Sequence, residues 1–145
     1  MLKTAGLCLL MTPLLAGIAA LPSAHAVSPG FIAISGTAAN ELRSFDLERF
    51  ITNLRERRNF AVLVSLKGHP ISIRQEPALA VLLEDRAFRD LHVYMLDLAT
   101  QQEDAEKLQA TEPGMLMVYR DGREVSRTVR VVDPDDLADL LAAAL

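Results

Sequence analysis

The chain has 145 residues, half of them apolar and 23% charged, with 15 basic against 19 acidic side chains and a formal net charge of −4. That length holds one core of ordinary size, and the acidic balance makes nucleic acid a poor partner. Cys8 is the only cysteine, so the chain can close no disulfide of its own.

Lys3 precedes an apolar run at residues 5–21, which leads to Pro22, Ser23, Ala24, His25 and Ala26. One positive charge, a short apolar stretch and a small-x-small end are the marks of a secretory signal peptide cleaved after Ala26. Thr12 and Pro13 interrupt the run, which is short for a membrane anchor. The chain therefore divides into a signal at 1–26 and one domain at 27–145. The mature portion has 119 residues, 14 basic against 19 acidic side chains, and no thiol. These features predict a periplasmic protein with no membrane span after cleavage.

In the mature portion, residues 31–34 (Phe-Ile-Ala-Ile) predict a short strand. Residues 45–58 then carry Phe45, Leu47, Phe50, Ile51 and Leu54 at helical spacing. Acids come early and Arg55, Arg57 and Arg58 late, as a helix dipole favours. Those arginines read as a solvated helix end. Residues 60–66 (FAVLVSL) form an apolar run suited to a strand covered on both faces. A bend at 67–72 opens a helix to Leu83, with Leu79, Leu82 and Leu83 inward and Pro77 inside it.

A further strand is predicted at His92 to Asp97, and Thr100 with Glu103 forms a capping box for a short helix. Asp121-Gly122 between apolar runs predicts a hairpin joining residues 115–119 to 124–132. Arg123, Arg127 and Arg130 on the returning strand read as protection of an exposed edge. Asp133 and Pro134 start a last helix, with Leu137, Leu140, Leu141 and Leu145 as its stripe.

Several of these features together resemble the thioredoxin fold, over residues 31–145. They are the buried strand entering a bend, a following helix interrupted by Pro77, a proline before the hairpin, the Asp-Gly turn and the final amphipathic helix. The resemblance implies an α/β three-layer sandwich, a mixed central sheet with a C-terminal β-hairpin and helices on both faces. Counted back from Pro77, His69-Pro70-Ile71-Ser72 stands where the family has Cys-x-x-Cys. The resemblance also implies a cis proline facing that bend, for which Pro113 is the candidate. A groove between the bend and the pre-hairpin loop would then be open to an extended peptide.

Redox chemistry of that family needs a thiolate, and serine cannot supply one. Ser72 reads as the N-cap of its helix and His69 as a partly exposed loop residue; a triad-like set with Asp97 is the catalytic alternative. His69 and His92 are expected a strand length apart, on the order of 15 Å, too far to share a metal ion. Met95, Met115 and Met117 read as core filling, with a soft copper site at His69 and Met115 as the alternative. No cofactor is implied.

The expected function is a redox-inactive binding or assembly module for an envelope or secreted protein. Its contact surface would be the edge formed by Gly68, His69, Pro70, Ile71, Ser72, Asp97, Pro113, Gly114 and Met115. The alternative is a glutathione-like small-thiol binder or enzyme using a His69 and Ser72 pocket. A subunit that pairs through its hairpin edge is a third reading, which the edge arginines oppose.

Overall fold

The structure, a computed structural model, describes residues 41–145. The expected signal segment and the strand at 31–34 lie outside the described residues. Five strands form one sheet: β1 (Leu42–Ser44), β2 (Phe60–Ser65), β3 (His92–Asp97), β4 (Met115–Arg120) and β5 (Arg123–Val129). Their order is β1-β3-β2-β4-β5. β3 is parallel to both β1 and β2, while β4 is antiparallel to β2 and to β5. Four helices, α1 (Leu47–Arg55), α2 (Pro70–Leu82), α3 (Gln102–Lys107) and α4 (Pro134–Ala142), cover it.

β2 is buried along its whole length, and its alternate side chains feed two cores. Phe60, Val62 and Val64 meet Phe50, Tyr94, Met117 and Tyr119 under α1 and α3. Ala61 and Leu63 meet Leu79, Leu83, Leu116, Leu137 and Leu141 under α2 and α4. Each fully buried leucine contributes about 1.5–3 kcal/mol, so the three layers are held by hydrophobic burial on both faces. Phe60 stacks on its cross-strand partner Tyr119 at 4.6 Å between ring centres, and Phe50 meets both rings edge-on.

Some local expectations are corrected. Ile51 is 37% exposed and Leu145 48%; Ala144 takes the place expected of Leu145 in the core. The Thr100–Glu103 capping box does not form. The Thr100 hydroxyl donates instead to the Asp97 carboxylate, and α3 starts from Gln101 without a side-chain cap. Arg127 does more than guard an edge: it pairs with Glu124 and donates to the Leu108 and Gln109 carbonyls, closing the end of α3.

The Arg127 guanidinium holds the Glu124 carboxyl below its usual range, and burial next to Glu124 pushes the Tyr119 phenol well above its own. His92, at the start of β3, is pushed down by burial and by Arg43 and Arg58 nearby. Its Nδ1 is buried with no hydrogen-bond partner among the described residues.

The hairpin tip is pinned to the end of α1. Asp121 and Gly122 both have positive φ, 50° and 70°, as a tight two-residue hairpin turn requires. Gly122 N–H donates to the Arg58 carbonyl and Asp121 N–H to Asn59 Oδ1.

A Cβ on Gly122 would lie 2.4 Å from the Leu54 carbonyl oxygen. Gly122→Ala is therefore expected to cost about 1–3 kcal/mol, read as a lower urea midpoint with the slope unchanged. For His92 the folded state favours the neutral ring, so stability is held above the ordinary histidine pKa of about 6.5 and falls as pH drops below it. His92→Gln should flatten that part of a stability-against-pH curve and leave the neutral range little changed.

Candidate functional site

β2 and β3 end flush, with Ser65 opposite Asp97, and Leu98 N–H donates back to the Ser65 carbonyl. Beyond Ser65 the chain turns at residues 66–69. His69 N–H donates to the Leu66 carbonyl, and Gly68 has φ of 81°, the conformation a type II turn demands at its third position.

The helix begins earlier than the sequence suggests, because Pro70 can take its first position without losing a bond. The cap is His69, whose Nδ1 accepts from Ile71 N–H at 3.4 Å. Ser72 is not the cap: it lies inside the helix, buried, and its Oγ accepts from Leu66 N–H at 3.1 Å. One hydroxyl thereby ties the end of β2 to the first turn of α2.

That first turn has two differently occupied sides. On the hairpin side, Ile71 and Gln75 meet the loop before β4. A Cβ on Gly114 would lie 2.3 Å from Ile71 Cγ2. Gln75, fully buried, donates through Nε2 to the carbonyls of Gly114 at 3.3 Å and Val131 at 2.8 Å. Gly114 N–H donates to the Val64 carbonyl, and Arg130 N–H to the Gly114 carbonyl.

Bend and pre-hairpin loop thus face each other as expected, but Ile71 packs into the space between them. Among the described residues every peptide bond is trans, Glu112–Pro113 included. Met115 N–H donates to the Glu112 carbonyl, and Gly114 has φ of 82°; a Pro-Gly type II turn stands where a cis proline is expected.

On the other side a cleft of about 400 Å³ opens between α2 and the ends of β2 and β3. Ser65, Lys67, Gly68, Ser72, Ile73, Glu76, Met95 and Asp97 line it. Ser65 Oγ donates to Glu76 Oε1 in a short bond. Asp97 is fixed by Ala99 N–H at 2.9 Å and the Thr100 hydroxyl at 3.1 Å. The cleft thus combines two anchored carboxylates and Lys67 with apolar flanks at Ile73 and Met95.

Of the residues singled out from sequence, Gly68, Ser72 and Asp97 line this cleft, whereas Ile71 and Gly114 pack against each other beside it. Met115 belongs to the core, its Sδ 3.6 Å from Arg127 Nη1. His69 Nδ1 and Ser72 Oγ each accept from a backbone N–H, and among the described residues no hydrogen bond joins the two side chains. Among the described residues no group of three or more His, Cys, Asp or Glu stands ready to hold a metal ion. No helix there is long and apolar enough to cross a membrane.

Ser65, Lys67, Ile73, Glu76 and Met95 are cleft residues that sequence reasoning misses. A signal for Ser65 and Glu76 is present: a polar residue closing an apolar strand, and an acid one helical turn beyond Ser72.

No family model matches the sequence, and no curated protein matches it. Solved structures do. Trxlp from Edwardsiella tarda EIB202 is 27% identical with a TM-score of 0.66, over 70% of this chain and 98% of that one. Thioredoxin from Trypanosoma brucei brucei is 13% identical at 0.62, over 76% and 95%. A mutant thioredoxin from Halobacterium salinarum NRC-1 is 20% identical at 0.60, over 75% and 96%. The fold is α/β and thioredoxin-like.

Gly114→Ala is expected to be among the costlier single changes at this junction, since both its φ and the Ile71 contact oppose a side chain. Placing Ile71→Ala beside it should recover part of the loss, so that the pair costs less than the sum of the two singles by about 0.5–3 kcal/mol in a denaturant-based cycle.

Proposed function

We propose that this protein is an exported, non-redox binding module that grips an extended segment of another envelope protein in the cleft between α2 and the ends of β2 and β3. The observation that carries this reading is the surface of α2 around that cleft. Ile73 is 62% exposed and Val81 67%. With Pro77, also exposed, they recur every fourth residue and so run along one side of the helix. An apolar stripe that starts at the cleft rim and continues outward suits a macromolecular partner.

The polar part of the cleft suits a basic segment. Glu76 and Asp97 present carboxylates, each oriented by a neighbouring donor, and a lysine or arginine side chain would complete their hydrogen bonding. Thiol exchange has no residue to act through, because residues 27–145 contain no cysteine. The signal-like segment at 1–26 supports a periplasmic location. A second reading, a small-thiol binder, is favoured by the cleft volume of about 400 Å³, which lies within the usual range for small ligands. The stripe on α2 favours the first.

Isotope-labelled protein titrated with an extended peptide carrying a central lysine should show saturable shifts at the amides of Gly68, Ile73 and Asp97. Ile73→Asp should weaken that binding by about tenfold or more without lowering the unfolding midpoint. Saturable shifts with glutathione and none with peptide would overturn the protein-binding reading. Turnover in an insulin-reduction assay would overturn the non-redox one.

A further inference from the structure

At the opposite end of the sheet from the cleft, Arg57 meets two arginines of the hairpin tip that lie more than sixty residues further along the chain. Arg57, Arg120 and Arg123, with Asp121 and Val125, line a bowl of about 510 Å³. The pinning of the hairpin tip to the end of α1 builds it: Gly122 donates to the Arg58 carbonyl, and its backbone lies against Leu54 and Arg57. Arg120 and Arg123 face each other across the turn as the last pair of the β4–β5 ladder.

Three other arginines, one beside the bowl and two further along the hairpin, have acidic partners. Arg58 pairs with Glu56, Arg127 with Glu124, and Arg130 with Glu112. Among the described residues Arg57, Arg120 and Arg123 have no ion pair, and Asp121 offsets only one of their three charges. A concentrated positive site therefore sits on a chain whose formal net charge is −4. Such a local reversal of sign steers and holds anionic groups.

Arg57 adds a second observation. It stands one residue past the α1 C-cap with φ of 55°, the position and conformation at which helices favour glycine. This chain has a charged side chain there against that preference, on a residue that lines the bowl.

We propose that this bowl takes an acidic, extended segment of a protein partner. Three guanidiniums offer paired donors that match carboxylates. Val125, 48% exposed at the rim, offers an apolar contact that a peptide can use and a bare inorganic anion cannot. Arg123 is the first residue of β5, which among the described residues pairs only with β4. Its outer backbone edge leads away from the bowl and can pair with an added strand. This site is separate from the cleft and does not depend on what the cleft binds.

The test is fluorescence anisotropy with a labelled peptide of alternating glutamate and valine, about ten residues long to match an extended strand, at low salt. Saturable binding is expected, weakened by about tenfold or more when glutamine replaces glutamate and lost at about 0.3 M salt, where exposed charges are screened. Arg57→Gly should weaken it by about tenfold while unfolding at the same or a higher temperature, because the strained residue is gone. Arg120→Gln should weaken it similarly. Equal binding of the glutamine peptide, undiminished binding by Arg57→Gly, or no saturation at low salt would overturn the proposal. So would tighter binding of inorganic phosphate or of a single-stranded oligonucleotide than of the acidic peptide.

Discussion

From Phe60 to Ser65 every side chain is buried, and the backbone between them is hydrogen-bonded to β3 on one side and β4 on the other. Because water reaches neither face, each polar group of that strand needs a protein partner, and each apolar group needs a layer above or below it. Helices on both faces and strands on both sides are the consequence. So is the location of polar chemistry: it falls at the two ends of β2, where hydroxyls, carboxylates, guanidiniums and turn amides can find water or one another as partners. The cleft begins at the Ser65 end.

At that exit the first turn of α2 performs two unlike tasks. Ile71 and Gln75 fix the helix to the loop before β4, through a close approach to Gly114 and two hydrogen bonds from one buried amide. Ser72 and Glu76, offset by about 100° per residue around the helix, bond to Leu66 and Ser65 and shape the cleft wall. The start of one helix thus has a packed side and an open side.

The fold is legible in the sequence because its signals are local. Apolar runs at β2, β3 and β4, the Asp121-Gly122 turn and the Asp133-Pro134 helix start all appear within a few residues of sequence and recur in the structure. The cap of α2 is easily misplaced although its signal is there: Pro70 at the first helical position makes the preceding His69 the cap and leaves Ser72 inside. β1 has no such signal. Leu-Arg-Ser is too short and too polar for a period, and only pairing with β3 makes it a strand. The cleft is partly legible, since Ser65 falls beside Asp97 once the two strands are taken as parallel and in register. Gln75 in the core and the meeting of Arg57 with Arg120 and Arg123 depend on contacts between distant segments, and nothing near them in sequence points there.

The placement of the cleft and the arginine bowl at opposite ends of the same sheet has a mechanical side. A load applied between the two would run along β2 and β4, at right angles to the hydrogen bonds that join them. Those bonds would then resist together, in shear, and would not be peeled open one after another from an edge.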